Sequence, residues 1–119
     1  MHLQLFTRVS AKDTTLIKFN VRQLNETVAH ALREQLADLI NGMGPPELHL
    51  DFADVDSMCS TVLALLVSIN RKLCRNTGHV VLFNVARPLA ELFQLTRLDT
   101  ILDVRSQPPD APNPAKASA

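Results

Sequence analysis

The sequence predicts a single α/β domain, built as a mixed sheet of four to five strands with helices packed mainly on one side. Three observations predict it. Hydrophobic alternation with a period of two at residues 3–9 and again at 48–52 is the pattern of half-buried strands. Apolar residues at three- and four-residue spacing after Asn25 mark a helix with one buried face. The unbroken apolar run Val80-Val81-Leu82-Phe83 suits a strand covered on both sides.

Each element has its own reason. Leu3, Leu5, Thr7 and Val9 alternate with Gln4, Phe6, Arg8 and Ser10 to give the first strand, Ala11-Lys12-Asp13 turns the chain, and residues 14–19 return as the second strand of a hairpin. Asn25 is a favourable N-cap, and Glu26 complements the positive end of the helix that follows. Val28, Leu32, Leu36, Leu39 and Ile40 form its apolar face, opposite His30, Arg33, Glu34 and Asp38. Asn41-Gly42 and Gly44-Pro45-Pro46 end it. Leu48, Leu50 and Phe52, alternating with His49 and Asp51, predict a third strand. A second helix starts within residues 57–61, with Ser60 in the N-cap place and Thr61 as first helical residue. It is apolar over residues 62–67, polar by Arg71, Lys72 and Arg75, and closed by Asn76-Thr77-Gly78. After the strand at 80–83, Pro88 suits the first turn of a third helix with Leu89, Leu92 and Phe93 inward, and Leu98, Ile101, Leu102 and Val104 close the domain in a short turn or strand. The order β-β-α-β-α-β-α calls for right-handed crossovers between the later strands.

The domain is expected over residues 1–106. From Gln107 onward, Pro108, Pro109, Pro112 and Pro114 interleave with Ala and Ser, a composition that buries too little to order itself, so 107–119 is expected to be a disordered tail. Hydrophobic residues make up 46% of 119, enough for a core without disulfides or metal. Formal net charge is zero, with no basic stripe and no Trp or Tyr, which argues against a nucleic-acid partner. The start lacks a basic segment followed by a long apolar run, and the apolar stretch 62–67 is far short of a membrane span, so a cytoplasmic protein without direct membrane insertion is expected.

No catalytic constellation emerges. His2, His30, His49 and His79 stand at no metal-ligand spacing, and Gly42, Gly44 and Gly78 build no phosphate loop, so no metal, cofactor or enzymatic activity is expected. Asp51, Asp54 and Asp56 read as a polar strand face and an exposed loop rather than a carboxylate site. Cys59, at a helix start, reads as a small half-buried thiol; a reactive thiolate would need a lowered pKa, and no His lies near it in sequence. The informative stretch is 54–66, which joins a strand, a loop and a buried helix and sets two hydroxyls, Ser60 and Thr61, at the helix start. Both read as caps, or as sites for a phosphate. A phosphate there would sit at the positive end of a helix dipole beside free N–H groups, so it would not unfold the domain. It would act by placing about two negative charges on a docking face.

In order and spacing, three stretches within residues 15–104 resemble the STAS domain, the family of sulfate transporters and anti-sigma factor antagonists. Leu16-Ile17-Lys18-Phe19 through Leu24-Asn25-Glu26 is similar to the family's second strand and the loop before its first helix. Residues 55–66 resemble the segment around its phosphorylation motif, commonly Asp-Ser-Ser/Thr-Gly-Leu-Gly. Val80-Val81-Leu82-Phe83-Asn84-Val85, followed by Leu92-Phe93-Gln94-Leu95-Thr96-Arg97-Leu98-Asp99, resembles its last strand and closing helix.

The resemblance implies a protein-binding module of the anti-sigma factor antagonist kind. Its partner would be an anti-sigma factor with a kinase-like ATPase domain, which phosphorylates a Ser or Thr and thereby breaks the complex. Carried over, Cys59 takes the motif's Asp, Ser60 its first hydroxyl and Thr61 the phosphorylated position, while Val62 and Ala64 stand where Gly is usual and Leu63 matches. Asn25 takes the place of a loop Asp shown to the partner, so the implied docking residues are Asn25, Ser57, Met58, Cys59, Ser60, Thr61 and Ala64. The altered motif equally suits a non-switching role, as a regulatory subunit of an ATP-driven lipid transporter or a stress-signalling scaffold component. A homo-oligomer is also left open.

Overall fold

The computed structural model describes residues 5–11, 14–41, 47–75 and 78–108. In chain order these form β1 (Phe6–Ala11), β2 (Thr14–Phe19), β3 (Gln23–Leu24), α1 (Glu26–Asn41), β4 (Glu47–Asp51), β5 (Ser57–Met58) and α2 (Ser60–Cys74). There follow β6 (His79–Phe83), α3 (Arg87–Leu95), a 3₁₀ turn at Leu98–Thr100 and β7 (Asp103–Val104). Leu3 and Gln4 of the expected first strand, Lys12 and Asp13 of the turn, the helix stop at 42–46, Asn76-Thr77 and the tail beyond Pro108 lie outside the described residues.

β1 and β2 make the expected antiparallel hairpin, with Phe6 opposite Phe19 and Ala11 opposite Thr14. β4, β6 and β7 then add in parallel, giving a mixed five-stranded sheet in the order β1-β2-β4-β6-β7. Because side chains alternate across a strand, the register sorts the sheet into two faces. Ile17, Phe19, Leu48, Leu50, Val80 and Leu82 share one face and form one apolar cluster with Leu32 and Leu36 of α1, Val62 and Leu66 of α2, and Leu89 and Phe93 of α3. Phe52 joins it, its ring edge-on to Phe19 with centroids 5.1 Å apart. The helices thus pack on one side, as the pattern predicts.

The other face carries Leu16, Lys18, Glu47, His49 and Asp51. Val81 and Phe83 are nevertheless buried there, which accounts for the unbroken apolar run in β6. The His49 ring lies 5.1 Å from Phe83, and the Arg105 guanidinium stands 5.5 Å above the Phe83 ring. Two hydrogen bonds from Arg105 to Asp103 (3.0 and 2.8 Å) raise the arginine pKa above its ordinary value, so it stays charged.

One correction falls on α2. Its N-cap is Cys59, not Ser60, and Ser60 and Thr61 are the first and second helical residues. The reason is the backbone: the Cys59 N–H donates to Leu24 O at 2.9 Å, which holds Cys59 extended (φ −90°, ψ 167°) and delays the helix by one residue. Just before the polar end of α2, where Arg71, Lys72 and Arg75 are exposed as expected, Asn70 is buried. Its side chain accepts from Val80 N (3.0 Å) and donates to Ile101 O (3.3 Å), tying α2 to β6 and the closing turn.

Candidate functional site

The site is made by two chain reversals brought together. β3 and β5 are each two residues long and pair in parallel, Gln23 with Ser57 and Leu24 with Met58, in a small sheet of their own. Asp56 N and Ser57 N donate to Arg22 O, at 2.7 and 3.3 Å, and extend the pairing. Fully buried Leu24 and half-buried Met58 fasten it to the core. Each of these strands runs directly into a helix, so α1 and α2 start side by side.

The structure brings the sequence-derived residues together here. Asn25 is exposed and caps α1, its Oδ1 accepting from Val28 N at 3.0 Å and its carbonyl from Ala29 N at 2.8 Å. Ser57 and Ser60 are exposed, and Met58 and Cys59 are half-buried. Cys59 caps α2 with its backbone alone, since its side chain makes no cap hydrogen bond. Ala64 is exposed one turn along the helix. Beyond it lies a depression of about 350 Å³ between α1 and α2, with Ala37, Ile40 and Leu65 in its lining and Arg33 and Lys72 beside them.

Thr61 holds a feature that sequence reading missed. Its hydroxyl donates to Glu26 Oε1 at 2.6 Å, so the two helix starts are joined by their side chains as well as by their backbones. Reading Glu26 as complementing the helix dipole captured half of its role; its partner lies 35 residues away, beyond any local signal.

The acidic trio does not form a site. Asp51 Oδ1 accepts from Ala53 N and from Asn84 Nδ2, both at 2.9 Å, and so holds the turn after β4 and the left-handed Asn84 (φ 54°). Asp54 stands 3.9 Å from Lys18, and Asp56 3.3 Å from Arg22. Among the described residues no group of three His, Cys, Asp or Glu is placed to hold a metal ion, and no helix is long and apolar enough to cross a membrane.

The family model described as "Mlab, STAS domain" matches residues 23–103, from β3 to the first residue of β7. The chain belongs to the STAS_2 family. No curated protein matches it. Among solved structures, an anti-sigma factor antagonist from Thermotoga maritima superposes with a TM-score of 0.77 at 23% identity, over 95% of this chain and 91% of that one. SpoIIAA, a Bacillus cell-fate determinant solved in its phosphorylated form, gives 0.66 at 17% identity, over 95% of this chain and 96% of that one. A sulfate transporter family protein from Wolinella succinogenes gives 0.68 at 14% identity, over 83% and 81%. These likenesses establish the shared fold: a STAS domain structurally like anti-sigma factor antagonists.

Proposed function

We propose that this STAS domain regulates gene expression by partner switching, as a cytoplasmic protein-binding module without a catalytic step or a cofactor of its own. Its partner is an anti-sigma factor with a kinase-like ATPase domain. The observation that carries this reading is the pair of helix starts held side by side at the surface, with exposed Asn25, Ser57 and Ser60 around the Thr61 hydroxyl. The docking face runs from Asn25 across Ser57, Met58, Cys59, Ser60 and Thr61 to Ala64. The folding unit is residues 1–106.

Thr61 is the phosphoacceptor, with Ser60, whose exposed side chain makes no hydrogen bond among the described residues, as its substitute. Solved STAS neighbours support the reading: several are anti-sigma factor antagonists, and SpoIIAA is known both unphosphorylated and phosphorylated. A phosphate at the start of α2 adds about two negative charges to a surface that the partner must desolvate. A differential of a few kcal/mol is enough to exchange bound for free.

A second reading, a non-switching subunit of a transport ATPase, is favoured by Cys59 and Val62, which replace the motif's Asp and Gly. One pull-down from the native cytoplasm separates the two, comparing wild type, Thr61→Ala and Thr61→Glu. Partner switching predicts an anti-sigma factor with a kinase-like domain on the first two and none on Thr61→Glu. An equal yield of one partner on all three excludes Thr61 as the switch, and a transporter ATPase among the captured proteins supports the second reading.

A further inference from the structure

Thr61 and Glu26 stand 35 residues apart in the chain, yet their side chains meet in a 2.6 Å hydrogen bond between the first turns of α2 and α1. The adjoining links are between backbones: the β3–β5 pairing, Cys59 N to Leu24 O, and Asp56 N and Ser57 N to Arg22 O. Glu26 has no cation paired with it among the described residues. The residue before it is Asn25, exposed on the docking face and capping α1.

We propose that the Thr61–Glu26 hydrogen bond is a latch between the two helix starts, and that Glu26 is the residue through which a negative charge at Thr61 is felt at Asn25. The inference rests on Thr61 being the phosphoacceptor. In the bond as it stands Thr61 is the donor, and an ionised carboxylate only accepts. Phosphoryl transfer from a nucleoside triphosphate forms an Oγ1–P bond and breaks the bond from the γ-phosphorus to its bridging oxygen. The nucleoside diphosphate leaves with that electron pair, and the hydroxyl proton goes to solvent. The donor is lost, and about two negative charges now face a carboxylate.

Two forces then act on the phosphate. The unpaired N–H groups of the first turn of α2 attract it, and Glu26 repels it. One movement satisfies both: the Glu26 side chain turns away, and the phosphate takes the amides. The first turn of α1 thereby loses its side-chain tie to α2, while the backbone pairing stays whole. The domain remains folded, and the change is confined to the surface around Asn25.

The latch is tested in the isolated 119-residue chain with Thr61→Val, Thr61→Glu, Glu26→Gln and the double variant Glu26→Gln/Thr61→Glu. Thr61→Val removes the donor without adding charge, and Glu26→Gln removes the repulsion while keeping an acceptor. The readout is amide exchange at Val28 and Ala29, whose N–H groups bond to the side chain and carbonyl of Asn25. The latch predicts that Thr61→Glu exchanges about fivefold faster there than Thr61→Val, a modest figure for like charges in contact at a surface. It also predicts that the excess vanishes in the Glu26→Gln background. Equal exchange in the two Thr61 variants, or an excess that persists in the Glu26→Gln background, overturns it. Because no partner is present, the latch and the partner switch fail separately: loss of partner with Thr61→Glu but no exchange coupling removes the latch alone.

Discussion

At Asn25 a side-chain oxygen and a main-chain carbonyl together hold the first turn of α1, whereas at Cys59 the backbone alone starts α2. The difference is measurable. Asn25→Ala is expected to lower stability by about 1 kcal/mol, the usual value of an N-cap, seen as a lower urea midpoint at unchanged slope. Cys59→Ser runs the other way. A hydroxyl of similar size in the same extended backbone is placed to accept from an unpaired N–H of α2, and the expected gain is about 0.5–1 kcal/mol. A midpoint that falls instead would show that burial of the sulfur against the core outweighs the cap. Asn70 is the third decisive residue. Asn70→Leu strands the buried Val80 N–H, and the expected cost is about 1–3 kcal/mol by denaturant unfolding.

At the scale of elements, the site depends on the short β3–β5 pair, because it sets where both helices begin. Leu24 is the apolar anchor of that pair, wholly buried between the sheet and the helices. Leu24→Ala is expected to cost about 2–5 kcal/mol, the range for a leucine truncated in a close-packed core. It should also shift the amide resonances of Asn25 and Cys59, which follow directly on β3 and β5. Resonances that stay in place while stability falls would mean that the helix starts are held independently of the pair.

What the sequence made visible at this scale follows from the length of each signal. α1 shows its buried stripe at Leu32, Leu36 and Leu39 because the helical period repeats over four turns, and the hairpin shows because alternation runs through six-residue strands. A two-residue strand has no period, so β3 and β5 left no trace. The α2 cap was misplaced for a related reason. Residue preference ranks Ser far above Cys, but a hydrogen bond from outside the segment, Cys59 N to Leu24 O, decided where the helix starts. Glu26 and Asn70 escaped because their roles depend on partners across the fold, Thr61 and Val80.

Over the whole molecule, the STAS fold divides its labour between the two faces of one sheet. Three helices and the core lie on one face, and on the other His49 and Arg105 stand against Phe83. The candidate docking surface lies beside the main sheet, where the β3–β5 pair delivers α1 and α2. Charge added there meets solvent and the free N–H groups of the first turn of α2, which is why a phosphorylated surface and an intact domain are compatible. Thr61→Glu is therefore expected to keep its cooperative unfolding, with a loss of stability of no more than about 1–2 kcal/mol, the scale of one lost surface hydrogen bond. Calorimetry of the two proteins checks it.

If charge at the start of α2 governs binding, as proposed, the direct measurement is the affinity for wild type and for Thr61→Glu of an anti-sigma factor captured by the wild type. The account predicts a Kd raised about a hundredfold, equivalent to about 2.7 kcal/mol, with Thr61→Ala close to wild type. Affinities for wild type and Thr61→Glu that agree within about threefold, less than 1 kcal/mol, would contradict it.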